Sequence, residues 1–171
     1  KTLIVLTNSL LKAKDPLIES FASHIYMQML SHLDDCSQTI VAELLQLGLD
    51  CKQCIMQILL ILNNVATKDM SLLKPQSLQM LTLLDRMDDM SLAEIRAVMD
   101  LVCGLAYSYE NSVIRDDIHM IIRKELSSSS PAIKIQGILA GIHAVKYLAA
   151  TNADEDQTVE FPDDVSYSSV T

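Results

Sequence analysis

Helix start signals constrain this chain more than any other feature. Asp15-Pro16 sets a capping carboxylate before a proline at the first helical position, where the missing N–H costs nothing. Ser91-Leu92-Ala93-Glu94 has the spacing of a capping box, in which Ser91 accepts from the N3 amide and Glu94 reaches back. Ser130-Pro131 opens a further helix in the manner of the first. Between such signals apolar residues recur at helical spacing, as in Cys54, Ile55, Ile58, Leu59 and Leu62. The 171 residues hold four glycines and four prolines, too few for the turns of a β-sandwich or barrel. With nine methionines, two phenylalanines and no tryptophan, the expected core is adaptable Leu/Ile/Met packing.

The punctuation predicts about seven helices. They run from Pro16 to about Leu33, from Ser37 as cap to Leu47 with Gly48 as stop, and from Asp50 to about Ala66. The others run from Pro75 to about Met87, Ser91 to about Tyr107, Val113 to Leu126, and Ser130 to about Ala150. Short connections between helices of this length suggest an all-α, HEAT-like solenoid of antiparallel helix pairs, with a compact bundle as the competing arrangement. Residues 1–150 are expected to be a solenoid segment of a larger protein, and 151–171 an acidic, Ser-rich, disordered or loop segment. The opening Leu3-Ile4-Val5-Leu6 run is broken by Thr7, Asn8 and Ser9 and is too short to span a bilayer.

Charge placement narrows the function classes. Asp154, Glu155, Asp156, Glu160, Asp163 and Asp164 carry six of the nine net negative charges, with no lysine or arginine after Thr151. The body is therefore left near −3, which is not the clustered basic surface that displaces counterions from a duplex. Direct DNA contact is expected to be slight. Four cysteines in a chain this size point to a reducing compartment rather than a disulfide scaffold. Cys51-Lys52-Gln53-Cys54 has metal or redox spacing, but no second ligand pair follows and Cys54 lies on an apolar stripe. Both are read as small buried hydrophobes. Asp116, Asp117 and His119 fall in the opening turns of one helix, where acidic residues complement the dipole. Neither a metal, a cofactor nor a catalytic residue is expected.

Lys134 is the unusual position. It sits at about the fourth residue of the last helix, where a cation faces the positive end of the dipole at a cost of about 0.3–1 kcal/mol. It shares a face with Gly137, Ile138 and Gly141, and each interior glycine costs roughly 0.5–1 kcal/mol against alanine. One reading is a lysine presented above a flattened strip for a partner to approach. The other is that the glycines pack on a neighbouring helix while Lys134 reaches for solvent.

The run Ile114-Arg115-Asp116-Asp117-Ile118-His119-Met120-Ile121-Ile122-Arg123-Lys124-Glu125-Leu126-Ser127-Ser128, followed by Lys134-Ile135-Gln136-Gly137-Ile138, bears on that choice. It closely resembles the segment around the monoubiquitination site of the Fanconi anaemia complementation group D-two family. Weaker similarity extends back to about Ser9, while Pro131-Ala132-Ile133, the part from Ala140 and the tail beyond Asn152 depart from the family. The resemblance implies that Lys134 accepts a single ubiquitin from a RING-type ligase of the Fanconi core complex and its E2. It implies a nuclear α-solenoid that is not an enzyme and is paired with the Fanconi I paralogue in the response to DNA crosslinks. It further implies a clamp on double-stranded DNA, with deubiquitination by a ubiquitin-specific protease and its WD40 cofactor.

Overall fold

In the computed structural model, residues 2–109 and 112–156 are described, with side chains except at 34 and 151–156. Among the described residues there are eight α-helices and no strand. They are α1 Thr2–Leu11, α2 Pro16–His32, α3 Ser37–Asp50, α4 Ile55–Lys68, α5 Ser77–Leu84, α6 Leu92–Tyr107, α7 Arg115–Leu126 and α8 Pro131–Asp156. Short 3-10 turns join several of them.

Two of the expected start signals act as read. The Asp15 carboxylate accepts from Leu17 N at 2.9 Å and Ile18 N at 3.4 Å, and Pro16 is the first residue of α2. At α6, Glu94 N donates to Ser91 Oγ and Ser91 N donates to Glu94 Oε2, the reciprocal pair that satisfies two orphan amides.

Other boundaries move, each for a visible reason. Gly48 does not end α3, which continues to Asp50. A Cβ there would lie 3.2 Å from Ile55 Cδ1, so the glycine lets the start of α4 approach rather than capping. Cys36 takes the cap position expected of Ser37, which is buried in the first turn of α3. Asp50 closes α3 instead of opening α4, and the chain bends by 118° between them. The opening run is itself helical, and Thr7 and Ser9 do not break it. Their hydroxyls donate to Leu3 O and Val5 O one turn back, so the helix absorbs them. At the other end α8 runs six residues past Ala150, and the remainder of the expected tail, 157–171, lies outside the described residues.

The helices pack in pairs. α1 lies on α2, α3 on α4, α5 on α6 and α7 on α8, while α2, α4, α6 and α8 contact one another in succession. This order is consistent with stacked hairpins of a HEAT-like solenoid. The expected stripe of α4 is buried throughout: Cys54, Ile55, Ile58, Leu59 and Leu62 expose 3% or less. It belongs to one continuous core with Val98, Met99 and Val102 of α6, the helix on which α4 packs. Each such side chain contributes about 1.5–3 kcal/mol by burial. Arg86, beyond α5, donates to Gly48 O and Leu49 O and so occupies the carbonyl end of α3. Apolar residues remain exposed on the first pair (Leu3, Val5, Leu17, Phe21) and along α8 (Ile135, Ile138, Ile142, Val145). No single helix among the described residues is long and apolar enough to cross a membrane.

Candidate functional site at the start of the last helix

The Arg-Asp-Asp-Ile-His run opens α7, and its arginine is structural. Arg115 donates through Nε to Ala106 O at 3.2 Å and through Nη2 to Tyr109 O at 2.8 Å, closing the carbonyl end of α6. Its guanidinium lies 5.6 Å from the Tyr107 ring centre, and the His119 ring lies 5.7 Å from the same ring, tilted by 39°. Asp116 and Asp117 occupy the first turn and Arg123 and Lys124 the last, as the dipole favours. Ile118 points inward and is buried.

Ser127 to Ser130 link α7 to α8. Ser127 Oγ donates to Arg123 O, and Ser130 N donates to Ser128 Oγ, so the linker is held by its own side chains. The first bond of α8 runs from Lys134 N to Ser130 O at 3.0 Å, which places Lys134 at the fourth helical residue. Its side chain is exposed. Ile138, one turn on, is 49% exposed and continues an apolar strip to Ile142 and Val145.

The two glycines separate. Gly137 is buried against the last turn of α7, where an added Cβ would sit 2.8 Å from Leu126 N and 2.9 Å from Glu125 Cβ. It therefore lies off the exposed strip of Lys134 and Ile138 and serves the α7–α8 contact. Beyond its own helix backbone, Gly141 has no atom of the described residues within 4 Å of a built Cβ. Gly141→Ala is accordingly expected to raise stability by about 0.5–1 kcal/mol, because alanine restores helix propensity without a clash. A chemical-denaturation midpoint that fell instead would contradict the open space.

Beside the α7–α8 junction lies a feature the sequence did not disclose. A cavity of about 370 Å³ opens between the segment after α5, the end of α7 and the start of α8, lined by Leu84, Met87, Asp88, Ile121, Glu125 and Gln136 among others. Glu125 is 7% exposed, and its Oε2 has no hydrogen-bond partner among the described residues. Burial, and then the Asp88 charge, pushes its carboxyl up to about 7, against a smaller opposing pull from Lys124. Nothing in the sequence signals this residue, since Arg-Lys-Glu at a helix end reads as a solvated terminus.

α8 is anchored to α6 by one carboxylate. Asp100 Oδ1 receives Lys146 Nζ at 2.6 Å and Tyr147 OH at 3.2 Å, with His143 Nδ1 also at 3.2 Å. Burial alone would raise Asp100, but the Lys146 ammonium, with the other two groups behind it, holds its carboxyl below the usual range.

At the α3–α4 junction Cys54 is buried as expected, but Cys51 is only partly so. Their sulfurs lie 3.2 Å apart. Among the described residues no three His, Cys, Asp or Glu side chains converge as a metal site would need.

The fold and this site define a class: an all-helical, solenoid-like segment that presents a lysine in the opening turns of a helix. A protein-family model described as Fanconi anaemia protein FancD2 nuclease matches residues 1–169. The chain belongs to that family. It is similar to the Fanconi anemia group D2 protein of Gallus gallus, with 30% identity over 159 residues covering 91% of this chain and 11% of that protein. The homolog of Drosophila melanogaster is 24% identical over 167 residues, and that of Mus musculus 25% over 169, each covering 92% of this chain and 11% of the relative. The chain thus spans about a tenth of the length of these relatives. The family match takes in residues 1–8 and nearly all of the acidic tail, both of which lay outside the resemblance read from the motifs.

Proposed function

We propose that this chain is the ubiquitin-acceptor segment of a DNA-repair scaffold and that Lys134 is the acceptor. The observation that carries the reading is the exposed Lys134 at the fourth residue of α8, directly after the family's Arg-Asp-Asp-Ile-His helix. An acceptor amine must reach the thioester carbonyl of a charged E2, and a lysine at a helix start that forms no ion pair with a carboxylate among the described residues is suited to that. Lys146, by comparison, is held by Asp100. The strip of Ile138, Ile142 and Val145 beside it offers apolar surface to a partner, for which the Fanconi I paralogue or the E2 and RING ligase are the candidates. Clamping on double-stranded DNA, removal of the ubiquitin by a protease with a WD40 cofactor, and nuclear residence belong to the same proposal.

Reconstituted conjugation with ubiquitin, the E2, the ligase and the whole protein tests it. Lys134→Arg is expected to abolish the single conjugate, whereas Lys124→Arg, an exposed lysine ten residues earlier, leaves it unchanged. Undiminished conjugation on Lys134→Arg would remove the acceptor role and leave a plain helical interaction scaffold.

A further inference from the structure

Cys51 and Cys54 face each other across the short turn Lys52–Cys54 that joins α3 to α4. Their Sγ atoms are 3.2 Å apart, about 1.2 Å more than an S–S bond of about 2.0 Å. The pair is asymmetric. Cys51 is reachable from solvent, while Cys54 is 2% exposed and its sulfhydryl donates to Leu11 O at 3.3 Å. Cys54 has one proton and two neighbours able to accept it, Leu11 O and the Cys51 sulfur.

We propose that Cys51 and Cys54 form a reversible dithiol–disulfide couple that exchanges with small-molecule disulfides, Cys51 attacking and Cys54 resolving. The Cys51 thiolate attacks one sulfur of RSSR, whose S–S bond breaks as RS⁻ leaves and the mixed disulfide Cys51–S–SR forms. Cys54 then gives up its proton and attacks the Cys51 sulfur, expelling the second RS⁻. Two protein thiols become one disulfide, and the two protons they release convert the two departing thiolates to RSH.

The surroundings fit this division of labour. Burial works against ionisation of Cys51, but the Cys54 sulfhydryl, the N–H groups of Cys54 and Gln53 and the Lys12 ammonium outweigh it and hold the thiol below its ordinary value. Burial, and then the Cys51 sulfur, pushes Cys54 up to about 12, so it stays a thiol until the mixed disulfide stands beside it. Oxidation also consumes the proton that Leu11 O accepts. The end of α1 therefore loses its sulfhydryl contact to the start of α4 whenever the disulfide forms.

Exposed Cys36 provides an internal control for indiscriminate oxidation. The whole protein is reduced, exposed to oxidised glutathione, acid-quenched, unfolded, alkylated and mapped by mass spectrometry. The peptide carrying Cys51 and Cys54 is expected to lose two hydrogens and resist alkylation, and to become alkylatable at both sulfurs after reduction. Cys54→Ser, which keeps a donor for Leu11 O, is expected to hold glutathione on Cys51. Cys51→Ser is expected to leave Cys54 unmodified. A wild-type pair alkylated at both sulfurs while Cys36 carries glutathione would overturn the proposal, as would a Cys54→Ser protein with no glutathione on Cys51.

Discussion

Gly137→Ala is expected to lower stability by about 2 kcal/mol, the reverse of what helix propensity predicts. Alanine in a helix interior gains about 1 kcal/mol over glycine. At Gly137 the new methyl would sit 2.8 Å from Leu126 N, 2.9 Å from Glu125 Cβ and 3.1 Å from Glu125 C. Two of those atoms are backbone, held by the α7 hydrogen-bond ladder, so no rotamer change relieves the overlap. α8 has to lift from α7, and overpacking of this kind costs about 1–3 kcal/mol, here at the upper end because the neighbours cannot turn away. Set beside Gly141→Ala, the two substitutions should move the urea midpoint in opposite directions although the residues are one helical turn apart. A raised midpoint for Gly137→Ala would mean that the α7–α8 contact is looser than described.

The second large effect is a pH-dependent cost at Glu125. Its folded value, about 7, lies above the usual 4.5, so the folded state holds this proton more tightly than the unfolded chain. Stability from this group is therefore full below about pH 4.5, falls as pH rises through about 7, and is lost above it. Glu125→Gln removes the titration while keeping the shape. The variant should be more stable than the wild type by about 1–3 kcal/mol at pH 8, with the difference closing towards pH 5. Denaturation curves of both proteins across that range isolate the group, since every other titration is common to the two. A difference that stays constant with pH, or a wild type more stable at pH 8, would refute the buried neutral carboxyl. A methyl added at Gly137 would sit 2.9 Å from Glu125 Cβ, so the two substitutions are expected to couple rather than add.

Those two residues also separate what was legible from what was not. The sequence shows two glycines four apart in the last helix, and a helical wheel places them on one face with Lys134 and Ile138. Only the packing shows that Gly137 turns inward, Gly141 meets open space, and Lys134 with Ile138 stays outside. The face a helix buries depends on its rotation against neighbours, and α8 is held by α6 through Asp100 and by α7 through Gly137. Glu125 was hidden for the same reason, because its cavity combines the segment after α5 with the α7–α8 junction.

Local chemistry, by contrast, was read off directly. The Asp15-Pro16 cap, the Ser91–Glu94 capping box, the buried stripe of α4 and the all-helical class each depend on residues within about one to three turns of each other. Gly48 misled because a helix-ending glycine and a close-packing glycine look alike until Ile55 is placed against it. The opening helix was missed because Thr7 and Ser9 read as breakers until their hydroxyls are seen bonded one turn back. The sequence by itself determined most of the helices and the Cys51–Cys54 spacing, since their energies are local. Tertiary structure decided which glycine packs against a neighbouring helix, which carboxyl is buried and holds its proton more tightly, and which cysteine is reachable. Those outcomes are set by groups such as Leu11, 43 residues from Cys54, that only packing brings within reach.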